Sequence, residues 1–397
     1  MIRQPNFSGG PGALPDSVIQ QTSDAILGVP EMGTGVLGIS HRSEWFENVV
    51  DEAESRIRSL LGLTDDFHVL FLQGGGTLQF SMVPMTMLRG QDKHAEYVRA
   101  GYWSNKSIAE AEKEGCVETV WDGESDGFSR LPSADEMTNG DAAYFHYVSN
   151  ETVEGLQFHN VPGRDDVPRV CDMSSDFLSR PIDPDRFDLI YAHAQKNLGP
   201  AGVTIVCVRD RILRNTPEGL PAMLDYRNHV KMGSIYNTAP VFAIYVTMLV
   251  SRWLCDDIGG LPNMDEINRR KAAMLYDVVD TSGGFYRGKA RKQDRSLMNV
   301  SFNLPTEELE RQFLDEAESR GLLGLPGHRS VGGVRASIYN AVTEEDVSQL
   351  CDFMEGFERK VAPRPSRVGQ MVKSLGLGRI GEMASVRGSS RVREAVG

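Results

Sequence analysis

The sequence predicts an α/β protein whose main sheet is mostly parallel and sandwiched between helices. Short apolar runs that are typical of buried strands, such as 68–73, 143–148 and 187–192, alternate with segments of helical periodicity. A strand, a helix and the next strand in such a series form a crossover unit, so these strands are expected to lie parallel to one another. The series therefore predicts one large domain built around a single sheet.

A smaller α+β domain is expected towards the C-terminus. After Ala239 the pattern is helical through about residue 279, and two further strands, at 295–304 and 332–340, are each followed by a helix. We therefore expect an N-terminal arm, a large domain, a small domain and a basic Gly/Ser-rich tail, which span 1–15, 16–265, 266–362 and 363–397.

Composition and charge exclude several classes of protein. The 397 residues are 40% hydrophobic and 24% charged, as in ordinary globular proteins. The net charge of -13 argues against nucleic acid as a partner, because phosphate backbones need clustered basic residues. The N-terminus lacks the apolar segment of a signal peptide, and the longest apolar stretch, Ala239 to Leu249, is shorter than the roughly 20 residues of a membrane helix. Five scattered cysteines without CxxC spacing, and no HExxH, predict a cytoplasmic protein with no metal site.

The tail differs from the rest of the chain in charge. From Pro363 onward it carries seven Lys/Arg against two Asp/Glu, whereas the preceding part is strongly acidic. We expect the tail either to be poorly ordered or to contact the acidic body of a neighbouring subunit.

A clear amphipathic helix follows Ser43. Apolar residues recur at helical spacing over 46–61, with Ser43 as the expected N-cap and Gly62 as the expected C-cap. His41 and Arg42 come just ahead of this helix. Arg42 has two interpretations there. It is a solvated surface residue, or it binds an anion together with His41, and a helix N-terminus also favours an anion.

A glycine run, Gly74 to Thr77, follows the strand at 68–73, and a helix is expected to start near Leu78. Backbone N–H groups in such a turn can cradle a phosphate, and a tight turn under a helix is the alternative. No GK[ST] follows, so the run is not a P-loop. Gln79 occupies the third glycine position of the dinucleotide-binding fingerprint, so that motif is excluded too.

Two further side chains are expected where strands meet loops. Trp103 follows a glycine and would either pack in the core or stack on a planar ligand. Asp172 comes near the C-terminal end of the apolar run 167–173. It would either cap a turn or direct its carboxylate into the crevice at the ends of the parallel strands.

Lys196 lies between two apolar runs, 187–192 and 203–208, that read as buried strands. Burial disfavours an ammonium ion and lowers the pKa of lysine, which suits the amine to forming a Schiff base. The alternative is a surface lysine on a loop.

A second cationic cluster is expected near the predicted strand at 332–340. Strand alternation places Arg335 on the opposite face from its apolar neighbours, and His328 and Arg329 come just before the strand. The last helix is expected to open at Thr343 and to carry Cys351 on its apolar face.

These features share one chemistry. A buried lysine, a phosphate cradle, a strand-end aspartate and an aromatic plate are what a cofactor with an aldehyde, a phosphate and a pyridine ring requires. Two clusters with arginine suit a doubly anionic substrate.

The same residues and their surroundings resemble the phosphoserine aminotransferase family, which comprises homodimeric, pyridoxal-phosphate-dependent enzymes of fold type I and class V. The resemblance runs from about Asn6 to Ala362 and does not extend to the tail. It is carried by SHR at 40–42, GGG…QF at 74–80, AGYW at 100–103, NET at 150–152, D…SS…LSRPID at 172–183, AQKNLGPAG at 194–202, YNTAP at 236–240 and GHRSVGGVRASIYNA at 327–341.

The resemblance implies how the cofactor is held. Lys196 would carry pyridoxal phosphate as a Schiff base and move a proton between the substrate Cα and the cofactor's C4′. Asp172 would keep the pyridine nitrogen protonated, Trp103 would stack on the ring, and Thr152 would bond its phenolic oxygen. The cofactor's phosphate would lie on Gly76 and Thr77 with Gln195 and, from the neighbouring subunit of a homodimer, Asn237 and Thr238.

It also implies how substrates are recognised. Arg335 would bind the α-carboxylate, and the distal phosphate or carboxylate would be bound by His41, Arg42, His328 and Arg329. Some members of the family carry arginine at the position of Thr77, so this chain loses one distal anion contact, worth about 1–3 kcal/mol if charge-assisted.

The implied reaction is transamination between L-glutamate and 3-phosphohydroxypyruvate by a ping-pong route, as in serine biosynthesis. The phosphorylated hydroxy-oxobutanoate of pyridoxine biosynthesis is a further expected substrate. The alternatives are another enzyme of the same fold, such as an alanine–glyoxylate aminotransferase or a cysteine desulfurase, and a pyridoxal-phosphate-binding protein without catalysis.

Overall fold

The computed structural model describes residues 4–137, 140–329 and 332–362. Within these ranges the chain alternates strands and helices as the sequence predicts. The strands are β1 (Phe67–Leu72), β2 (Ala95–Arg99), β3 (Val117–Asp122), β4 (Tyr144–Val148), β5 (Asn150–Glu151), β6 (Leu156–Gln157), β7 (Arg169–Asp172), β8 (Leu189–His193), β9 (Thr204–Arg209), β10 (Arg287–Gly288), β11 (Asn299–Asn303) and β12 (Val334–Ser337).

The helices lie on both faces of the sheets and between them. They are α1 (Asp16–Leu27), α2 (Glu44–Leu61), α3 (Gly75–Met87), α4 (Tyr102–Ala111), α5 (Asp210–Arg214), α6 (Tyr226–Lys231), α7 (Val241–Asp256), α8 (Leu261–Thr281), α9 (Glu307–Ser319) and α10 (Glu344–Val361).

The main sheet has seven strands in the order β1-β9-β8-β7-β4-β2-β3. Neighbouring strands from β8 to β3 pair in parallel, whereas β9 runs antiparallel to both β1 and β8. The predicted α/β fold with a mostly parallel sheet is confirmed. Because β1 therefore runs in the same direction as β8 and β2, the carboxyl ends of these strands meet at one edge.

Several element boundaries differ from the prediction. Helix α3 begins at Gly75 rather than near Leu78, because the glycine run itself opens the helix after Gly74, whose φ is 94°. The helical region after Ala239 is broken at Gly259 and Gly260, with φ of 80° and 100°, which separate α7 from α8. Strands β7, β11 and β12 are shorter than the apolar runs that predicted them.

The predicted helix caps are confirmed. Ser43 Oγ accepts a hydrogen bond from Phe46 N at 3.2 Å at the start of α2, and Gly62 ends that helix in the left-handed region with φ of 65°. At the start of α10, Thr343 Oγ1 accepts a bond from Asp346 N at 3.1 Å. These residues satisfy backbone groups that the first and last turns of a helix leave without partners.

The apolar core is divided between the seven-stranded sheet and a three-stranded sheet in the order β10-β11-β12. Clusters on the faces of the seven-stranded sheet extend to Met264 in α8, whereas a separate cluster around β10, β11 and β12 begins with Ala272 in the same helix. This division supports the predicted domain boundary near residue 265, which stays a prediction. Cys351 lies against the second cluster, as its place on the apolar face of α10 predicts.

The N-terminal arm packs into the apolar cluster around β10, β11 and β12. Phe7 is fully buried in the second cluster. Its N–H donates to Leu323 O at 2.8 Å, and its carbonyl accepts from Ser337 N at 3.0 Å. Further along the arm, Gly12 N donates to Gln195 O at 2.8 Å. The arm therefore links the small domain to the segment that contains Lys196.

A buried lysine anchors the turn that follows β12. The Lys271 amine, fully buried in α8, donates to the carbonyl oxygens of Ile338, Tyr339 and Val342 at 3.1, 2.8 and 2.9 Å. The next residue in that turn, Asn340, receives a bond on its side-chain oxygen from Asn268. This turn thus depends on buried polar contacts, which include bonds from Asn340 to Asn197 Oδ1 and Leu178 O at 2.8 Å each.

We expect Lys271→Met to lower the free energy of unfolding by about 3 kcal/mol, because methionine fills similar space but leaves buried carbonyls without a donor. The shift of the urea-unfolding midpoint measures this loss. The matched control is Lys292→Met, which removes an exposed ammonium that pairs with Asp280 at 2.8 Å and should change the free energy by about 0.5 kcal/mol or less. Equal effects of the two substitutions would contradict the anchoring role.

In the described part of the chain, the helices are too short or too polar to cross a bilayer. The predicted tail, 363–397, lies outside the described residues.

Candidate active site

A cavity of about 230 Å³ opens at the edge of the main sheet where the parallel strands end. It lies between the first turns of α3 and α4 and the turn that follows β8. Among its walls are seven of the residues that the sequence singled out for a cofactor: Gly76, Thr77, Trp103, Thr152, Asp172, Gln195 and Lys196.

The glycine run forms a cradle at one end of the cavity. Gly74 and Gly75 have φ of 94° and 69°, which only glycine adopts readily, and they turn the chain directly into α3. The N–H groups of the first turn of a helix have no acceptor within the helix. A Cβ at Gly76 would lie 3.3 Å from Ser174 Oγ, and that buried hydroxyl has no hydrogen-bond partner in the described residues. Backbone N–H groups and an unpaired hydroxyl together suit a phosphate.

Lys196 lies in the turn between β8 and β9 and is only 5% exposed. Its amine donates to Thr152 Oγ1 and lies 5.4 Å from the centroid of the Trp103 ring. Burial lowers the pKa of Lys196 to about 8, although the nearby Asp172 carboxylate opposes this shift. A far larger fraction of this amine than of an ordinary lysine is therefore unprotonated and nucleophilic near neutral pH.

Asp172 ends β7 and is 4% exposed. Its Oδ1 accepts a hydrogen bond from Ser174 N at 2.8 Å. Burial raises the pKa of Asp172, while the bond to Ser174 and the charge of Lys196 counteract the rise. A buried carboxylate of this kind is best stabilised by a cationic N–H group placed in the cavity.

The position of Trp103 depends on two glutamates that sequence reasoning gave no role. The carboxylate of Glu151 accepts bonds from Trp103 N at 3.1 Å and Ser104 N at 2.8 Å, and that of Glu154 accepts from Tyr102 N at 3.1 Å. Burial raises the pKa of both carboxyls, that of Glu154 to about 8. They hold the first turn of α4, so that the Trp103 ring forms a wall of the cavity.

The second cationic cluster lies beside the cavity. A Cβ at Gly9 would lie 2.3 Å from Nη2 of Arg335, and the buried Nε of Arg335 has no partner in the described residues. The ring of His328 lies 4.7 Å from that of Tyr102. Burial and the charge of Arg335 lower the pKa of His328, and Arg329 is exposed. The arm and α4 thus flank this cluster.

Seven of the predicted site residues do not line the cavity: the three of the cluster beside it, His328, Arg329 and Arg335, and four others. His41 and Arg42 immediately precede α2. Asn237 donates to Gln73 Oε1 at 2.8 Å, and the carbonyl of Thr238 accepts from Gln73 Nε2 at 3.0 Å. These last two contacts place Asn237 and Thr238 against the residue that precedes the glycine run.

Other contributors to the site were missed. A Cβ at Gly12 would lie 2.5 Å from the carbonyl of Lys196, so the arm passes close to the lysine. His193, which ends β8, lines the cavity, and burial lowers its pKa to about 3, which keeps it neutral. The Gly/Pro-rich composition of the arm was its only signal in the sequence, and nothing there indicated which residues it would contact.

The arrangement fits a planar ring that carries a carbonyl and a phosphate. The Lys196 amine reacts with carbonyls, the Asp172 carboxylate suits a ring N–H, and the first turn of α3 with Ser174 suits the phosphate. The Ser174 hydroxyl and the buried Trp103 Nε1 find no hydrogen-bond partner among the described residues, and a bound group would satisfy both.

Comparison with known proteins gives concordant matches. Residues 6–350 match the family model described as aminotransferase class-V. The chain is 48% identical over 357 residues to the phosphoserine aminotransferase of Rhodopirellula baltica, which covers 89% of this chain and 95% of the relative.

Solved structures agree. The structure of phosphoserine aminotransferase from Bacillus circulans subsp. alkalophilus superimposes with a TM-score of 0.88 at 44% identity, over 91% of this chain and 99% of that one. A second phosphoserine aminotransferase, studied for radiation damage of its Schiff base, has a TM-score of 0.88 at 42% identity, over 91% of this chain and all of that one.

Proposed function

This chain belongs to the class-V aminotransferase family, and from that premise we propose that it acts as a phosphoserine aminotransferase. The reaction exchanges an amino group between L-glutamate and 3-phosphohydroxypyruvate and yields 2-oxoglutarate and O-phospho-L-serine. The observation that carries the proposal is the buried Lys196 amine, with its pKa lowered to about 8, in a cavity closed by Asp172 and Trp103.

Pyridoxal phosphate is the proposed cofactor. Lys196 would hold its carbonyl carbon, Asp172 its ring nitrogen, Trp103 its ring face and Thr152 its phenolic oxygen. Its phosphate would lie on the N–H groups of Gly76 and Thr77, with Gln195 beside them. The phosphoserine aminotransferase structure that was studied for radiation damage of its Schiff base supports this assignment. When bound, the cofactor supplies a conjugated ring that accepts the electron pair released as a substrate Cα–H bond breaks.

The protein's own residues then handle protons and position. The Lys196 Nζ takes the proton from the substrate Cα and returns a proton in the second half of the reaction. Thr152, which accepts a bond from that Nζ, orients the amine. The Asp172 carboxylate would keep a proton on the ring nitrogen of the cofactor. The Trp103 ring excludes water from one side of the cavity.

Both substrates carry an α-carboxylate and a distal anion. Arg335, whose Nε is buried and unpartnered in the described residues, would bind the α-carboxylate, because a planar guanidinium matches carboxylate geometry. The distal group would be bound by His328 and Arg329, and by His41 and Arg42. Since one site binds the two substrates in turn, the kinetics are expected to be ping-pong.

We also propose an oligomeric state, a second substrate and a location for the protein. A homodimer would bring Asn237 and Thr238 to the phosphate site of the neighbouring subunit; within their own chain both residues contact Gln73, next to the glycine run. The phosphorylated hydroxy-oxobutanoate of pyridoxine biosynthesis has the same two anionic ends and is a second proposed substrate. A cytoplasmic location is also proposed.

A cysteine desulfurase would need a nucleophilic thiolate at the site. Cys351 instead lies on α10 against the core of the small domain, and burial raises its pKa to about 12. The Cys351 thiol is therefore protonated and a poor nucleophile at neutral pH.

The test is the visible absorbance of the protein reconstituted with pyridoxal phosphate. L-Glutamate and O-phospho-L-serine should each bleach it, and 3-phosphohydroxypyruvate should restore it, because each half-reaction converts the cofactor between its aldehyde and amine forms. L-Alanine serves as the control donor. Bleaching by alanine alone would favour an alanine–glyoxylate aminotransferase, and an unchanged spectrum with every donor would indicate binding without catalysis.

The lowered pKa of Lys196 predicts how cofactor uptake depends on pH. The rate at which the apoprotein takes up pyridoxal phosphate should rise with pH up to about 8 and then level off, because Lys196 loses its proton near that pH. An ordinary lysine would keep gaining reactivity to pH above about 10. In Asp172→Asn the plateau should start at lower pH, because the carboxylate that favours the ammonium form is gone. A rate that still rises steeply above pH 9 would contradict the assignment.

A further inference from the structure

Lys106 is an exposed cation on α4, the helix whose first turn forms a wall of the cavity. The proposed function gives this lysine no role. It lies on α4, with its Nζ 5.1 Å from the centroid of the Tyr102 ring and 6.0 Å from that of Trp103. Trp103 lines the cavity, and Tyr102 contacts His328 of the second cationic cluster. Lys106 is therefore held between the cavity wall and that cluster.

Helix α4, which carries Lys106, packs against α3, whose first turn forms the glycine cradle of the cavity. Between the two helices, Ser81 Oγ donates to Glu110 Oε2 at 3.4 Å. Thr77 and Lys106 each stand one helical turn before these two residues along their helix, towards the end of the helix that lines the cavity.

The electrostatic surroundings favour an anion at this point. Lys106 lies in the second turn of α4, near the positive end of that helix dipole, where a cation is mildly unfavourable. Within residues 4–137, 140–329 and 332–362, its contacts are with the aromatic rings and with no carboxylate. The charges that lower the pKa of His328 include those of Arg335, Arg329 and Lys106. Several cations thus converge on one small region, which a dianion would stabilise.

We propose that Lys106 binds the distal phosphate of the phosphorylated substrate and so favours that substrate over L-glutamate. The inference rests on the proposed function. Tyr102 contacts both His328 and Lys106, so the Lys106 charge lies beside the cationic cluster that would receive the distal group. A phosphate monoester carries a charge of about −1.5 to −2 at pH 7, against −1 for a carboxylate, so an added ammonium favours the phosphate.

The test compares Lys106→Gln with Lys113→Gln in the holoenzyme. Lys113 follows the end of α4 and pairs with Glu110 at 2.7 Å, further along the helix from the cavity. In Lys106→Gln, kcat/KM for O-phospho-L-serine should fall about tenfold, while that for L-glutamate should change by about twofold or less. Lys106→Arg should restore most of the loss, and Lys113→Gln should change neither value. Proportionate losses for both substrates, or no loss, would overturn the proposal.

A binding measurement separates this proposal from the proposed function. Inorganic phosphate titrated calorimetrically into the holoenzyme should bind about tenfold more weakly to Lys106→Gln than to wild type or to Lys113→Gln. If wild type did not turn over O-phospho-L-serine, the proposed function would fail, yet this titration would still decide the role of Lys106. Equal phosphate affinities in wild type and Lys106→Gln would overturn that role.

Discussion

Lys196→Ala is expected to lower transamination by roughly 10⁴-fold or more, the largest effect of any single substitution in this chain. The substitution removes both the amine that holds the cofactor and the base that moves the substrate proton. Initial rates with L-glutamate and 3-phosphohydroxypyruvate measure the loss. Melting temperature and the cofactor content after dialysis show whether the protein remains folded and whether the cofactor is retained.

The matched control is Lys196→Arg, which keeps a positive charge but cannot act as a base, because guanidinium keeps its proton. If proton transfer is the function of Lys196, the arginine variant should be as inactive as the alanine variant. Small primary amines added to Lys196→Ala should restore part of the rate, since they can enter the space left by the side chain. Substantial activity in Lys196→Arg without added amine would contradict this role.

Asp172→Asn is expected to lower turnover by roughly 10²–10³-fold. The substitution leaves the protonated ring nitrogen of the proposed cofactor without its counter-charge, at a cost of about 3–5 kcal/mol. The amide keeps the shape and can still accept the bond from Ser174 N that Asp172 accepts at 2.8 Å. The effect therefore isolates the charge. Single-turnover rates of bleaching by L-glutamate measure it without interference from product release.

The control for Asp172→Asn is Ser174→Ala. That substitution leaves the backbone N–H of residue 174 in place and removes only the hydroxyl, which would contact the phosphate. It should weaken cofactor retention and leave the single-turnover rate of the loaded enzyme within about tenfold of wild type. If Asp172→Asn were also within tenfold, the carboxylate would not act on the reacting group.

The chemistry of the site was predictable where it depends on local sequence. Asp172 and Lys196 stand at the ends of apolar runs, and a residue that ends a parallel strand must lie at the edge where ligands bind. The glycine run, which is also a local pattern, predicted a turn into a helix. Only its helix boundary was wrong, because glycines that make the turn also occupy the first helical positions.

What could not be predicted depends on contacts between distant segments. Glu151 lies in a short stretch that resembled a known motif, yet its role of capping α4 needs the backbone of Trp103, which is far away in sequence. Likewise, nothing local to Gly9 indicates that Arg335 packs against it. The roles of His41 and Arg42 stay predictions, because these residues do not line the cavity.

The arm has a consequence for how the protein is made. The carbonyl of Gly9 accepts a hydrogen bond from the Tyr339 hydroxyl, 330 residues further along the chain, and Phe7 pairs with Leu323 and Ser337. The arm therefore finds these partners only after the chain has been synthesised through Tyr339. A nascent chain that stops before these residues has its lysine and its glycine turn, but nothing to fasten the arm beside them. Competence for chemistry thus requires synthesis well beyond the segment that carries the reactive amine.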